Sequence, residues 1–562
     1  MPSRTYLKGS LGAALDHAPV VLGFGTSGRR GLLKDLTQLE IYINALAEIE
    51  YLKTLPPEEG GVRENEPFFF AADLRPSSTR LDESGRGELA QAIFKAIQDA
   101  GLNPVFLGQI PTPAVTAFAI GRNKGSIMVT GSHIPFDRNG YKTNTSVGEL
   151  LKHHEEPIAA FVSHIRQRLY NAAFETSLFD ASGMFKGGSQ PLPEPLVEAG
   201  EAYVSRYLDF FGENALSGLN VLVYQHSAVG RDLVPSILEA LGAKVEVAGR
   251  SEIFVPIDTE NIDASCLETI QGFLDAAGRE GHHFDAVVST DGDSDRPLIL
   301  GVTRETGKAR FFGGDLVGMV AADFLKPDAV VVPISTNDAI DRGSLVAALE
   351  PKTRIGSPFV IQGMLDALKK GRRKVVGWEA NGGFLTGSEI VMEGRTLAPL
   401  PTRDAVLPIL AVLANSVAQG KGLAALFAAL PPRFSRAALL KNFPKAKSHS
   451  ILKKLRPVSE DQVRIGFEEA SAGDPAFRDL GVRLAGYFTR EDGFGPALGI
   501  DYTDGLRIYF EGGDVAHLRP SGNADELRIY AVSDSQERAD QIAALGIREP
   551  DGILRSLERD FA

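Results

Sequence analysis

The stretch "VVSTDGDSDRPLI", residues 287–299, decides how this chain is read. An apolar run from Phe284 to Thr290 reads as a buried strand, and it delivers Asp291, Asp293 and Asp295 in alternate positions. On extended backbone, residues i, i+2 and i+4 face the same way. Three carboxylates so arranged repel one another unless a cation lies between them. An all-oxygen ligand set suits Mg²⁺ or Ca²⁺. A helix–loop–helix calcium site would need a preceding helix and a glycine at the sixth loop position, where this chain has Arg296. The competing reading, a solvated acidic turn, sits poorly with the buried strand in front and Arg296 beside it.

Working outward, apolar β-branched runs alternate with segments of helical period. Strands are expected over 68–72, 104–108, 125–129, 219–224, 244–248, 284–290, 329–332 and 374–377, and helices over 36–55, 87–100, 233–240, 265–277, 314–324, 361–369 and 403–418. Such alternation predicts α/β units with mixed, mostly parallel sheets. Beyond about Pro431 the pattern changes to short strands over 486–488, 505–510, 515–518 and 527–532 followed by the helical "SQERADQIAALG", which predicts a separate α+β domain. The Gly-, Ser- and Pro-rich stretch 175–194 reads as a linker, and "ALPPRF" near Pro431 as a second boundary. The three α/β stretches share an order of elements. The expected domains are 1–185, 195–301, 302–430 and 431–562.

The 562 residues carry a net charge of −13, which argues against a general nucleic-acid or anionic-membrane binder. Cys266 is the single cysteine, so no intrachain disulfide or thiolate metal cluster can form, and its helical surroundings suggest a small packing or surface residue. The N-terminus shows no long apolar leader and no stretch approaches a membrane span, so a cytoplasmic protein is expected.

Three further loops hold chemistry. "IMVTGSHIPFDRNGYK", 127–142, presents Thr130, Ser132 and His133 at a strand end, followed by Asn139-Gly140-Tyr141-Lys142. A serine there can act as nucleophile or phosphoryl carrier, although the G-x-S-x-G elbow of hydrolases is missing. "HLRPSGNADELRIY", 517–530, sets Arg519, Ser521, Gly522 and Asn523 between two strands. A guanidinium fork, a hydroxyl and a glycine that admits backbone N–H groups make a phosphate cradle. "VVGWEANGGFLTG", 375–387, follows a strand with Glu379, Asn381 and Gly382. Glu and Asn together suit vicinal sugar hydroxyls, and Trp378 suits packing or a sugar face equally. A fourth stretch, "GFGTSGRRG" at 23–31, has the G-x-G-x-x-G spacing of a dinucleotide turn. That reading needs a helix opening at the third glycine and an acidic residue about 20 positions on. The chain instead gives Arg29-Arg30-Gly31.

Taken in this order, the loops resemble those of the α-D-phosphohexomutases, over residues 24–542. The resemblance implies three related α/β domains and a C-terminal α+β domain around a central active-site cleft, one loop from each lining it. It implies interconversion of hexose 1-phosphate and hexose 6-phosphate through a phosphorylated Ser132 and a bound hexose 1,6-bisphosphate, which also serves as activator. Mg²⁺ would be held by Asp291, Asp293, Asp295 and the phosphorylated Ser132. Arg30 and Arg296 would stabilise the transferring group, Lys142 would act as general acid/base and His133 would shape the loop. Glu379, Asn381 and Gly382 would read the sugar, and Arg519, Ser521, Gly522 and Asn523 would grip the other phosphate. Partners would be hexose phosphates, with the chain a monomer or homodimer.

The T-G-S-H-I-P and R-P-S-G-N forms look most like bacterial phosphomannomutases. A phosphoglucomutase or dual-specificity enzyme is the alternative, and a non-catalytic sugar-phosphate binder is the alternative from another class. Extra sequence near 51–66 and 456–479 reads as decoration.

Overall fold

A computed structural model of the chain describes residues 6–260, 262–456, 464–466, 475–520 and 525–561. It divides into two compact units, one of residues 1–329 and 357–427, the other of 330–356 and 428–562.

The first unit contains two five-stranded sheets built to one plan. In spatial order the first runs Arg29–Leu32, Arg138–Asn144, Ser126–Val129, Pro67–Ala72, Asn103–Phe106, and the second Ala309–Phe312, Pro297–Val302, Ala286–Thr290, Asn220–Tyr224, Lys244–Ala248. Each has two parallel pairings at one side and two antiparallel ones at the other. The sheets are therefore mixed, but half parallel where a mostly parallel sheet was expected. Four strands follow the same chain order in both, so two of the three stretches expected to share an order do so here; only the outer antiparallel strand differs, coming first in one sheet and last in the other.

The strands that carry the chemistry are apolar because both faces are covered. Ser126–Val129 and Ala286–Thr290 are buried at every position. The helix Gln38–Thr54, capped by the Thr37 side chain on the Glu40 N–H, packs nearly its whole circumference into the core of the first sheet. In both sheets the hairpin after this buried strand turns at one end, placing the Ser132 loop (130–137) and the Asp291–Asp295 loop at equivalent positions. A third, smaller set of antiparallel strands, Val375–Trp378, Phe384–Thr386 and Leu400–Asp404, places the Glu379–Gly383 loop after its own buried strand.

The second unit carries a fully antiparallel six-stranded sheet in the order Phe434–Lys441, Glu526–Ser533, Val515–Pro520, Leu506–Phe510, Ala497–Asp501, Arg464–Gly466. Gln536–Ile547 and Ile553–Phe561 cover one core that includes Phe443, Ile508, Ile529 and Leu554. This is the expected α+β architecture.

Four sequence expectations change. Residues 486–488 form a turn after the helix Pro475–Ala485, and the apolar Phe488 that suggested a strand is buried in the core. The helix expected over 403–418 is Val406–Gln419, so Arg403 and Asp404 end a strand. The linker 175–194 is irregular, yet Phe179 and Phe185 stack at 4.9 Å and join the first core. The first candidate decoration is the end of the long helix and a 3-10 turn, Pro57–Glu59; most of 456–479 lies outside the described residues.

Candidate active site

Two loops of the first unit meet at Ser132. Its Oγ donates to Asp291 Oδ2 at 2.8 Å, and His133 Nδ1 lies 3.4 Å from the same oxygen. Ser132 is fully buried and has a φ of +53°, a left-handed conformation rare for a residue with a side chain. The surrounding structure fixes it there. Thr130 Oγ1 accepts from the Ser132 N–H at 2.7 Å and donates to Asp73 Oδ2 at 2.8 Å. Arg75 donates to the carbonyls of Ser132, Ile134, Pro135 and Arg138, closing the loop around one guanidinium. A Cβ at Gly131 would lie 2.6 Å from Arg75 Nε, so glycine is required for this approach.

The three aspartates converge as the alternate spacing requires: one oxygen of each lies within 4.8 Å of the others, and all three side chains are buried. Asp291 Oδ1 accepts the N–H groups of Asp295 and Arg296. Lys142 Nζ bridges Asp293 Oδ2 at 2.6 Å and Asp295 Oδ2 at 2.5 Å, and Thr112 Oγ1 donates to Asp293 Oδ2 at 2.6 Å. Burial, with Asp293 and Asp295 beside it, raises the Asp291 carboxyl well above the usual carboxylate range. Against the push of burial, Arg403, Lys142 and Arg296 hold Asp295 well below it. Asp293 Oδ1 and Asp295 Oδ1 are buried with no hydrogen bond among the described residues. Carboxylate oxygens left bare on one side and neutralised on the other fit a hard divalent cation.

Arg296 and Arg30 also face this centre. Arg296 Nε lies 3.6 Å from Asp295 and 3.8 Å from Asp291 and has no hydrogen bond among the described residues. Arg30 sits on the edge strand Arg29–Leu32, opposite Gly140, and donates to the Ser27 carbonyl. Burial lowers its pKa to about 10, which leaves it charged at neutral pH. That strand occupies the place where a dinucleotide turn would open a helix. Burial, with Arg296 and Arg30 nearby, depresses the His133 imidazole well below its ordinary value.

The Glu379–Gly383 loop stands on the same side. Gly382 donates to the Glu379 carbonyl, Gly383 donates to Asn381 Oδ1, and Thr259 Oγ1 donates to the Asn381 carbonyl. Trp378 is fully buried and stacked on Phe384 at 5.7 Å, which settles it as packing. Cys266 is also remote from this chemistry: burial and Asp263 push its thiol up to about 11.

In the second unit, Arg519 Nε donates to Asp504 Oδ1 at 3.1 Å at the end of the strand Val515–Pro520. Ser521, Gly522 and Asn523 lie outside the described residues.

Sequence reading missed Arg75, Asp73, Thr112 and Arg403. "DLRPSS" at a strand end offered a signal for the first two. Arg403 had none, because the apolar run behind it reads as helix from Arg403 onward.

Comparison with known proteins gives one family by sequence and the same fold by structure. Models described as Phosphoglucomutase/phosphomannomutase match residues 21–169 (alpha/beta/alpha domain I), 313–434 (alpha/beta/alpha domain III) and 476–545 (C-terminal domain). A phosphomannomutase of Sinorhizobium fredii is 35% identical over 524 residues, 93% of this chain and 98% of the relative. A phosphomannomutase of Salmonella muenchen is 35% identical over 527 residues, 92% and 93% of the two chains. The crystal structure of a phosphoglucomutase/phosphomannomutase family protein from Burkholderia thailandensis shares the fold, with a TM-score of 0.64 at 17% identity over 96% of this chain and 98% of that one.

Proposed function

The chain belongs to the phosphoglucomutase/phosphomannomutase family and is a phosphohexomutase, an isomerase; on that premise we propose that it interconverts mannose 1-phosphate and mannose 6-phosphate. The observation that carries the chemistry is the Ser132 hydroxyl 2.8 Å from Asp291, between a loop that fixes it and three buried carboxylates.

In this reading Ser132 carries a phosphoryl group between turnovers. The Ser132 Oγ–P bond breaks as a sugar hydroxyl oxygen bonds to phosphorus, giving a bound hexose 1,6-bisphosphate, and the other phosphate later returns to Ser132. Lys142 moves the proton, taking it from the attacking sugar hydroxyl and supplying it to the departing oxygen. Mg²⁺ held by Asp291, Asp293, Asp295 and an oxygen on Ser132 would neutralise charge on the transferring group. Arg30 and Arg296 add positive charge where negative charge develops. His133 keeps the serine loop in shape. Glu379, Asn381 and Gly382 read the hydroxyls presented in both substrate orientations, and Arg519, Ser521, Gly522 and Asn523 hold the second phosphate. The domain division 1–185, 195–301, 302–430 and 431–562 belongs to the same proposal. No described helix is long and apolar enough to cross a membrane, in keeping with a cytoplasmic enzyme of this kind.

The test is phosphopeptide mass analysis of the protein with turnover measured for mannose, glucose and glucosamine 1-phosphates, with Mg²⁺ and a bisphosphate activator. The expected result is phosphate on Ser132, the highest kcat/KM for mannose 1-phosphate, and a loss of at least ~10⁴-fold in Ser132→Ala. Undiminished turnover in Ser132→Ala sinks the serine mechanism; a preference for glucose 1-phosphate overturns the sugar assignment alone.

A further inference from the structure

Arg403 joins the Asp291–Asp295 loop to the Glu379–Gly383 loop. Its Nη1 donates to Glu379 Oε2 at 2.8 Å, while its Nε and Nη2 donate to Asp295 Oδ2 at 3.1 and 2.8 Å. Nη1 also lies 3.4 Å from Ser357 Oγ, which donates to Glu149 Oε2 at 2.6 Å. The guanidinium is 3% exposed and the two carboxylates 1% and 6%. Such a planar fork fixes both carboxylates in direction as well as distance, which an ammonium could not do.

The choice of oxygens matters. Arg403 takes only Oε2 of Glu379, and Glu379 Oε1 has no hydrogen-bond partner among the described residues. On Asp295 it shares Oδ2 with Lys142, while Oδ1 has no hydrogen bond among the described residues and lies 3.6 Å from Arg296 Nε. One arginine therefore holds one oxygen of each carboxylate and leaves the other free of its own hydrogen bonds. Without it Glu379 would lose its only side-chain anchor among the described residues, and a rotatable glutamate distinguishes sugar epimers poorly.

We propose that Arg403 is a positioning residue for sugar recognition: it locks Glu379 to the Asp295 loop, so that the hydroxyl-reading oxygen stands at a fixed place relative to the reacting centre. This rests on the proposed role of Glu379. It predicts that Arg403 acts on selectivity through Glu379, without touching the sugar.

The experiment measures binding of mannose 1-phosphate and glucose 1-phosphate by calorimetry, beside kcat/KM for both, in the wild type, Arg403→Gln, Arg403→Lys, Glu379→Gln and the double variant Arg403→Gln/Glu379→Gln. The expected result is a loss of binding selectivity of about tenfold in Arg403→Gln, the scale of one charge-assisted hydrogen bond, and a smaller loss in Arg403→Lys. The double variant should be no less selective than Glu379→Gln. A merely structural role would lower the affinity for both sugars equally and leave their ratio unmoved. An unchanged ratio in Arg403→Lys or in folded Arg403→Gln overturns the proposal, and so does an additive loss in the double variant, which would mean direct contact with the sugar. If the wild type binds both phosphates but turns over neither, the mutase reading fails while the binding ratios still decide the role of Arg403.

Discussion

The Ser132 and Asp291–Asp295 loops are tied by side chains, within themselves and to each other. The Glu379–Gly383 loop is held mostly by backbone. Around the first pair, Asp73, Thr130, Arg75, Thr112 and Lys142 leave each reacting group one position. The second loop has its own backbone bonds and Asn381 Oδ1 inside, and among the described residues only Arg403 and Thr259 donate to it from elsewhere. The difference teaches where chemistry and selectivity reside. Phosphoryl transfer needs groups placed to fractions of an ångström, so its loops are over-determined. In the proposed reading sugar choice rests on one loop with a single charged anchor among the described residues, Arg403, which also holds Asp295.

The largest effect that would test this contrast comes from Lys142→Met. Lys142 is shared by two buried carboxylates, and Asp295 keeps Arg403 while Asp293 has no other ion pair among the described residues, so its loss should cost roughly 3–5 kcal/mol of stability, from leaving Asp293 uncompensated. It should also lower kcat by about 10²–10⁴-fold through loss of proton transfer. Millimolar Mg²⁺ should recover part of the thermal stability, measured by calorimetry, and none of the kcat. If Mg²⁺ restores turnover as well, Lys142 is only a counter-ion.

A smaller effect is expected from Gly382→Ala in the sugar loop. Gly382 has a φ of +86°, and a Cβ there would lie 2.8 Å from Pro297 Cγ. The strain should cost about 1–2 kcal/mol, raise KM several-fold and leave kcat within about twofold, since the hydrogen bonds that fix Ser132 and the aspartates are kept. A fall in kcat larger than the rise in KM would show that the two regions are not separable in this way.

The same contrast explains what the sequence made legible. The acidic triplet and Ser132 are local: i, i+2, i+4 on a strand end, or a serine after a buried apolar run, and they meet because equivalent hairpins of a repeated sheet place them so. The N-G-x-K lysine was read only through family resemblance, and its strand, Arg138–Asn144, was not expected, because its alternate residues are polar and buried by partners instead of apolar packing. Arg403 stands 24 residues from Glu379 and 108 from Asp295, so no local pattern marks it. The turn at 486–488 and the half-parallel sheets failed for a related reason: an apolar triplet tells burial from exposure but not strand from turn, and strand direction is fixed by the hairpins, which propensity does not read.

The smallest effect on turnover concerns what stands behind the acidic loop. His226 is buried, with a φ of +29°, and its Nε2 meets the carbonyl of Thr290, the residue before Asp291, at 2.8 Å. A ring nitrogen facing a carbonyl must carry the proton, so Nε2 donates. Burial lowers its pKa to about 4. With an unfolded value near ~6.5, the unfolded chain binds the proton first as pH falls. The contribution of neutral His226 is thus complete above about pH 6.5, is reduced by about 2 kcal/mol at pH 5, and is lost as pH falls through about 4. His226→Asn keeps a residue tolerant of the left-handed backbone and removes the titration. Its stability deficit against the wild type, followed by urea unfolding between pH 7.5 and 5, should shrink as the pH drops. A deficit constant across that range would mean that His226 is not held neutral by burial. The rigidity of the acidic loop would then come from Lys142 and the hydrogen bonds around it alone, bringing its support closer to that of the sugar loop, where one charged residue holds the side chain.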